Sequence, residues 1–373
     1  MPTWRVPMGD LRAQHAASGA ELQAAAMAVV ERQAFILGEP VARFERTLEA
    51  LSGTTHAIGV ASGSDALALA LRAVGVGPGD GVVTSAFGFV ATAEAIVRVG
   101  ARPIFADVDE YNLAPASVEE ALARAHPRAP ARAILPAHLF GACAPMGELV
   151  GIARRHALAV VEDAAQAILA TSAAPSGARG RAGSLGDAGA LSFFPSKNLG
   201  GWGDGGAVVT SRQDVADRVR ALRVHGSPAF DVVGTNSRLD ALQAAVLGAK
   251  VPYLEGWTAA RVRVADRYRD LLAPLGERVL LPRASEGHVY NQFVLRVERR
   301  DALLEHLARH GIEARAYYPR ALHELPAFAA FADGTHHPRA EGAARTAVGI
   351  PIYPELSEAQ QAEVADAIAA FAW

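Results

Sequence analysis

The chain has 373 residues, of which 51% are hydrophobic, and its 36 Lys and Arg nearly balance its 39 Asp and Glu. A chain of this length can bury a large core, and its charge gives no reason to expect nucleic acid or a membrane surface as a partner. The single cysteine, Cys143, excludes an intrachain disulfide and suits a reducing compartment. No apolar run approaches the ~20 residues of a membrane span. These features predict a soluble, cytoplasmic protein.

Two helices are predicted near the amino terminus, over residues 20–33 and 41–51, and no chemistry is assigned to them. His56–Val60 is then predicted to be a buried strand that leads through a Gly/Ser turn into a helix over residues 66–74. Such a turn exposes unpaired N–H groups and the positive end of a helix dipole, which favours a bound anion. Simple capping of the helix by Ser64 or Asp65 is an equal alternative.

Strand and helix patterns alternate through the next part of the chain. Helices are predicted over residues 91–99 and 118–125, and strands over residues 102–108 and 133–137. This alternation predicts an α/β fold with a mainly parallel sheet and helices on both faces. Functional residues are then expected where the strands end.

One predicted strand, over residues 158–161, ends in the acidic pair Glu162-Asp163. A carboxylate that closes an apolar strand is costly unless a cation pairs with it, and no lysine or arginine is near in sequence. A metal is the weaker candidate, because the His336-His337 pair is far along the chain and no cluster of ligands is evident. A protonated ring nitrogen of a bound heterocycle is the other candidate. Because Glu162 should point away from Asp163, acid/base catalysis by this pair of carboxylates is less favoured.

Lys197 is the strongest catalytic candidate. It follows an apolar run that contains Phe193 and Phe194, and it precedes a glycine-rich turn. An amine in a poorly solvated wall has a lowered pKa and attacks carbonyl groups, as a Schiff-base lysine must. A surface lysine on a loop is the alternative, but the glycines allow close approach of a ligand and Ser192 offers a hydroxyl to an anion.

The turn after Lys197 also matches the GxGxxG fingerprint over residues 201–206. That fingerprint requires a strand before it and a helix after it. The residues that follow, Val208, Val209 and Thr210, are strand-like instead. A nicotinamide-dependent sugar oxidoreductase is therefore a weaker alternative.

The pattern changes near Lys250, where a long helix begins, followed by a strand over residues 289–297 and further helices. We predict a large domain over residues 1–250, with a helical N-terminal segment, and a smaller α+β domain over residues 251–373.

Four short motifs are specific when they are taken together: GVASGSDAL at residues 59–67, VEDAAQ at 161–166, SFFPSKNLG at 192–200 and NSRLD at 236–240. In this order and spacing they resemble the DegT/DnrJ/EryC1/StrS family of nucleotide-sugar aminotransferases, which depend on pyridoxal 5′-phosphate (PLP). The resemblance covers nearly the whole chain. It implies an aspartate aminotransferase-like fold of PLP fold type I, with a large domain and a smaller C-terminal domain.

The resemblance also implies a role for each of eight residues. It implies Lys197 as the lysine bound covalently to the cofactor, Asp163 as the partner of the pyridine nitrogen, Gln166 at the phenolic oxygen, Phe89 stacked on the ring, Gly63, Ser64 and Ser192 at the phosphate, and Asn236 at the phosphate of the neighbouring subunit's cofactor. The active site is thus expected at the interface of a homodimer. No metal is expected.

The reaction that the resemblance implies is transfer of an amino group from glutamate to a nucleotide-linked keto sugar, with release of 2-oxoglutarate. Residues 35–38 and 236–240 most resemble members that aminate C3 of a UDP- or dTDP-linked 3-keto sugar, for polysaccharide or natural-product glycan synthesis. Some members of the family are dehydratases with histidine in place of this lysine, so Lys197 argues against that branch. A 4-keto sugar and a PLP-binding regulator without turnover are the alternatives.

Two residues depart from the family pattern. Gly88 stands where threonine is common, and Tyr317 stands where histidine is usual before Tyr-Pro. Tyr317 lies in the segment expected near the sugar, so the orientation of the substrate cannot be copied from relatives that keep the histidine.

Overall fold

The computed structural model describes residues 4–125, 129–174 and 176–373 of the chain. The described strands are β1 (His56–Val60), β2 (Gly81–Ser85), β3 (Arg102–Ala106), β4 (Val108–Asp109), β5 (Asn112–Leu113), β6 (Ala131–Leu135), β7 (Ala159–Asp163), β8 (Thr171–Ala173), β9 (Arg179–Arg181), β10 (Ala188–Ser192), β11 (Gly206–Thr210), β12 (Phe293–Arg296), β13 (Arg315–Ala316) and β14 (Ala347–Ile350).

The described helices alternate with the strands of the first half and dominate the second half. They are α1 (Leu11–Arg32), α2 (Gly38–Ser52), α3 (Gly63–Ala73), α4 (Val90–Arg98), α5 (Pro115–Ala123), α6 (Met146–Arg155), α7 (Gln213–Leu222), α8 (Ala241–Leu272), α9 (Arg300–Arg309), α10 (Pro338–Thr346) and α11 (Glu358–Ala369). Short 3₁₀ turns occur at Leu139–Gly141, Ala273–Arg278, Leu322–Glu324 and Pro326–Phe331.

The main sheet has the strand order β1-β11-β10-β7-β6-β2-β3. Only β11 among these strands is antiparallel to its neighbours, β1 and β10. The remaining pairs are parallel. This architecture confirms the predicted α/β class with a mainly parallel sheet.

Helices cover both faces of the main sheet because its strands are apolar on both sides. In β1, Ile58 and Val60 pack with α3, α4 and α7, whereas Ala57 packs with α2 and α8 on the other face. In β7, Val161 packs on the first of these faces and Val160 packs on the opposite face. Two-sided burial is what parallel strands with helical crossovers require, and it leaves the strand ends as the place for a site.

Two helix predictions were wrong in their boundaries. The first helix begins at Leu11 and not near residue 20, because the Asp10 carboxylate caps it by accepting hydrogen bonds from the Arg12 and Ala13 backbone N–H groups. The long helix predicted to begin near Lys250 begins at Ala241 instead, and α8 runs through Pro252 without interruption. Packing of α8 along α1 and α2 outweighs the local effect of the proline.

A second, antiparallel sheet of order β12-β14-β13 lies in the C-terminal part of the chain. Its core contains Phe293 and Ile350 from the strands together with Leu307 from α9 and Ile368 from α11. The division into domains at residue 250 stays a prediction, and α8 spans that position. In the described ranges, no helix is both long enough and apolar enough to cross a membrane.

Candidate active site

A cavity of about 390 Å³ lies at the carboxyl ends of the parallel strands. Its lining includes seven of the eight predicted site residues: Gly63, Ser64, Phe89, Asp163, Gln166, Ser192 and Lys197. The eighth, Asn236, is exposed and does not line it. The structure therefore brings together the predicted residues except the one expected to serve a neighbouring subunit.

One end of the cavity has the features of an anion site. Helix α3 begins at Gly63, and the hydroxyl of Ser62 accepts a hydrogen bond from the Asp65 backbone N–H at 3.1 Å. Ser62 is thus the cap, and not Ser64 or Asp65 as one alternative predicted. A Cβ atom at Gly63 would lie 2.6 Å from Cβ of Ser192, so only glycine allows this close approach. A helix amino terminus beside two serine hydroxyls fits a phosphate group.

Lys197 lies on the turn after β10 and is one of only two lysines in the sequence. Burial lowers its pKa from the usual 10.5 to about 8, and the negative charge of Asp163 opposes this shift. The amine is therefore largely neutral, and nucleophilic, above pH 8. The lowered pKa agrees with the expectation from the apolar run that precedes Lys197.

We predict that the reactivity of Lys197 in the cofactor-free protein rises with a midpoint near pH 8. The pKa of this amine is depressed, so the protonated form dominates below pH 8 and the reactive form above it. The measurement is the rate of trinitrophenylation at the peptide containing Lys197, mapped by mass spectrometry to separate it from the chain terminus. The other lysine, Lys250, is buried with its Nζ 2.7 Å from the Gly200 carbonyl oxygen and serves as the internal control. A midpoint near the usual value of lysine would contradict the prediction.

Asp163 is the last residue of β7, and both of its carboxylate oxygens accept hydrogen bonds. The Thr92 hydroxyl donates to Oδ2 at 2.6 Å, and the Ala165 backbone N–H donates to Oδ1 at 3.1 Å. Thr92 and Asp163 are both buried. A short bond from a hydroxyl to a carboxylate is among the stronger protein hydrogen bonds and fixes the orientation of Asp163. Sequence analysis missed Thr92, and its position one helical turn after Phe89 was the available signal.

We predict that Thr92→Val lowers the free energy of unfolding of the cofactor-free protein by about 2 kcal/mol, because it leaves a buried carboxylate oxygen without its donor. Valine preserves the shape of the side chain. Thr92→Ser keeps the hydroxyl and is expected to cost less than about 1 kcal/mol. Urea denaturation of the three proteins measures the difference, and equal midpoints for valine and serine would contradict the assignment.

Glu162 points to the other side of β7 from Asp163, as predicted, and it is fully buried. Its carboxylate accepts hydrogen bonds from three backbone N–H groups in residues 183–186 and lies 2.8 Å from Nε2 of His138. Because His138 Nδ1 accepts from the Ala144 backbone N–H, its Nε2 carries the hydrogen and donates. Glu162 is therefore a satisfied structural acid. His138, which follows β6, also lines the cavity.

Gln166 is held by two contacts in the cavity wall. Its Oε1 accepts from the Phe140 backbone N–H at 2.6 Å, and its Nε2 donates to the Tyr318 hydroxyl at 3.0 Å. The Tyr318 ring lies 5.9 Å from the ring of Phe89, centroid to centroid. Phe89 itself is 50% exposed, so it is not a core residue. Tyr318 was missed as a cavity residue, although its neighbour Tyr317 was noted.

The weaker alternatives from the sequence find no support in the structure. The glycine turn at residues 201–206 leads into β11, an antiparallel strand, and not into a helix, so the dinucleotide fingerprint lacks its context. In the described ranges, no group of three or more His, Cys, Asp or Glu side chains is arranged to hold a metal ion. The His336 ring lies instead 3.4 Å from the carboxylate of Glu341.

Sequence comparison identifies relatives along almost the full chain. A protein described as a pleiotropic regulatory protein, from Geobacillus stearothermophilus, is 43% identical over 98% of each chain. A UDP-N-acetyl-3-dehydro-α-D-glucosamine 3-aminotransferase from Acidithiobacillus ferrooxidans is 43% identical over 97% of each chain. Among solved structures, DesV of S. venezuelae matches with a TM-score of 0.91 and 41% identity, over 98% of each chain.

A family model described as the DegT/DnrJ/EryC1/StrS aminotransferase family matches residues 17–369. Aminotransferases of this family are PLP-dependent, which confirms the predictions of an aminotransferase and of its cofactor. The structural match confirms the predicted aspartate aminotransferase-like fold. The chain belongs to the DegT/DnrJ/EryC1/StrS aminotransferase family.

Proposed function

We propose that the chain transfers an amino group from glutamate to a nucleotide-linked keto sugar, with Lys197 and Asp163 as its catalytic residues. One observation supports this most directly: a lysine of lowered pKa and an oriented, buried carboxylate line the same cavity as a helix amino terminus that fits a phosphate. These are the groups that an aromatic aldehyde phosphate needs at its aldehyde, its ring nitrogen and its phosphate.

The remaining cavity residues are proposed to hold and orient the cofactor. Gly63, Ser64 and Ser192 would bind the phosphate at the amino terminus of α3. Phe89, half exposed beside the cavity, would stack on the ring. Gln166 keeps one Nε2 hydrogen beyond its bond to Tyr318, which supports a contact with the phenolic oxygen.

When bound, PLP supplies an aldehyde that condenses with amines and a ring that accepts electrons. Asp163, oriented by Thr92, would keep the ring nitrogen protonated. Lys197 would hold the cofactor between turnovers. Its released Nζ would then take the proton from the α-carbon of glutamate in one half-reaction and deliver a proton to the sugar carbon in the other.

The overall exchange balances without an external oxidant or reductant. The carbon of glutamate that loses the amino group becomes the keto carbon of 2-oxoglutarate, and the sugar carbonyl carbon gains the amino group and a hydrogen. We propose a UDP- or dTDP-linked 3-keto sugar as substrate. The 3-aminotransferase from Acidithiobacillus ferrooxidans, at 43% identity, supports position 3 over position 4.

A cytoplasmic homodimer with shared active sites is part of the same proposal. Large apolar side chains are exposed near Asn236, the residue expected to reach the neighbouring subunit: Phe230 at 70% and Val233 at 87% precede it, and Ile36 at 55% pairs with Asp240. Exposed apolar side chains of this size favour coverage by a second copy. Asn236 lies close to Val233 in sequence, is exposed and stands outside its own cavity, which supports a contact with the neighbouring cofactor.

The test is a glutamate-dependent assay of the PLP-loaded protein against a panel of 3-keto and 4-keto sugar nucleotides. We expect 2-oxoglutarate release in equal amount to a new amino sugar with a 3-keto member of the panel. Activity only with 4-keto members would shift the assignment to the alternative carbon. A protein that binds PLP through Lys197 but converts no sugar nucleotide of the panel would support the alternative of a regulator without turnover. The Geobacillus relative is described as a regulatory protein.

A further inference from the structure

A second cavity, of about 240 Å³, adjoins the proposed cofactor cavity. The two cavities share five lining residues: Ser196, Lys197, Gln292, Arg315 and Tyr317. A molecule that reacts at Lys197 can therefore extend into the second cavity past this shared wall. The phosphate end, at Gly63 and Ser192, belongs to the first cavity alone.

Arg315 is the only arginine among the described residues that line the first cavity. Glu313 holds it on one side, because Nε and Nη2 both donate to the same Glu313 oxygen, at 3.1 and 2.6 Å. Glu313 also accepts from the Met8 backbone N–H, which anchors the pair. Arg315 also forms a hydrogen bond with the Tyr317 phenol, and 58% of its side chain is exposed. The guanidinium is thus positioned by Glu313 but keeps donors for a ligand.

Two neighbours of Arg315 in the shared wall, Gln292 and Tyr317, are polar. The Oε1 atom of Gln292 is buried without a hydrogen-bond partner in the described structure. Because an amide oxygen only accepts, the NH2 group of Gln292 is the part that could donate to a carboxylate. Burial raises the pKa of the Tyr317 phenol, while the positive charge of Arg315 opposes that shift. Tyr317 therefore stays a neutral hydroxyl beside the guanidinium, and the wall combines one cation with two neutral polar groups.

The chemistry of the amino donor fits this wall. An α-amino acid that presents its amine at Lys197 carries a carboxylate one carbon away, so that carboxylate must be bound close to Lys197. Arginine is the side chain best suited to a carboxylate. The second cavity is also lined by Asp10, Glu313 and Glu355, and by Arg261, whose Nη1 donates to backbone carbonyl oxygens.

We propose that Arg315 binds the α-carboxylate of the amino donor. The neutral polar groups of Gln292 and Tyr317 would complete this subsite. The inference rests on the proposed function, because it assigns a residue to one of the two substrates of that reaction. The Tyr317 departure falls within this subsite, where a neutral phenol contacts Arg315 at the position at which the family pattern has histidine.

Measuring the two half-reactions separately distinguishes binding of the amino donor by Arg315 from a general effect of Arg315 on catalysis. In single-turnover experiments we expect Arg315→Gln to raise the glutamate concentration for half-maximal 2-oxoglutarate release by about tenfold or more. The amino-loaded enzyme should convert the keto-sugar nucleotide within about threefold of the wild-type rate. Arg315→Lys, which keeps the charge, should restore part of the affinity for glutamate.

A binding measurement without turnover complements the kinetics. Calorimetric titration of the PLP-loaded enzyme with glutarate, a dicarboxylate that cannot donate an amine, should show weaker binding to Arg315→Gln by a similar factor. Arg320→Gln is the matched control, because Arg320 is exposed, donates to the Glu324 carbonyl oxygen and lines neither cavity. It should bind glutarate as the wild type does.

Other outcomes would overturn the assignment. A selective loss in the keto-sugar half-reaction would assign Arg315 to the sugar nucleotide, and equal loss in both half-reactions would indicate a general role. Unchanged glutamate and glutarate affinities in Arg315→Gln would exclude it from both substrates. A wild-type enzyme that releases no 2-oxoglutarate would refute the proposed function itself, whereas the glutarate titration would still test Arg315.

Discussion

Lys197→Ala is expected to reduce amino transfer by more than about 10⁴-fold, because a single nitrogen is proposed both to hold the cofactor and to move the proton. The assay is 2-oxoglutarate release at saturating glutamate and keto sugar. The variant should still bind PLP at the phosphate end of the cavity, since Gly63, Ser64 and Ser192 are unchanged. Activity and cofactor binding are thereby expected to separate.

The sequence contains only two lysines, so a labelled peptide identifies directly which lysine binds the cofactor. After borohydride treatment of the wild type, PLP should be fixed to the peptide that contains Lys197, and the absorbance near ~420 nm should be lost. In Lys197→Ala the only remaining lysine is Lys250, which is buried against the Gly200 carbonyl oxygen and should not be labelled. Lys197→Arg is the matched control for charge, and it should be as inactive as the alanine variant. Label on Lys250, or substantial turnover by Lys197→Arg, would contradict the assignment.

The fold could be predicted from sequence because its main signals are local. Short apolar strands alternate with helices between residues 56 and 210, and this pattern specifies a mainly parallel sheet without knowledge of distant contacts. Of the two helix boundaries that were missed, the start of α1 has a local cause in the Asp10 cap, whereas the course of α8 depends on longer-range packing. Helix α8 continues through Pro252 because α1 and α2 pack along it, and the pattern of α8 alone does not reveal these contacts.

Some residues of the cavity could be predicted from the sequence and others could not. Lys197 and Asp163 stand in motifs whose local chemistry is unusual, an amine after aromatic residues and an acid that closes an apolar strand. Thr92 stands outside the four motifs, and Tyr318 stands in the Tyr-Pro segment in which only Tyr317 was noted. Thr92 becomes significant only when the fold places its hydroxyl 2.6 Å from a carboxylate 71 residues away. The position of Thr92 one helical turn after Phe89 was a weak local signal, and only the fold shows the hydrogen bond that gives this residue a role.

Asp163→Asn is expected to reduce turnover by about 10²–10³-fold, the range that loss of one oriented electrostatic partner causes in other enzymes. Asparagine keeps the size of the side chain but cannot hold a proton on the ring nitrogen by charge. The same change removes the negative charge that raises the pKa of Lys197, so the reactivity midpoint of the cofactor-free variant should fall below pH 8. The two effects are measured independently, one by 2-oxoglutarate release and the other by trinitrophenylation of Lys197.

This pair of readouts separates a cofactor partner from a merely structural acid. Asp217→Asn provides the matched control, because Asp217 lies on the exposed face of α7 in a surface ion pair with Arg220, and it should change neither quantity. A structural role for Asp163 alone would lower stability but would leave the turnover of the folded variant intact. A turnover within about threefold of the wild type, with the midpoint for Lys197 still near pH 8, would show that Asp163 acts neither on the ring nitrogen nor on the lysine. We expect both the turnover and the pH midpoint for Lys197 to fall. Both changes follow if the carboxylate of Asp163 acts on the ring nitrogen of the cofactor and on the amine of Lys197 within the same cavity.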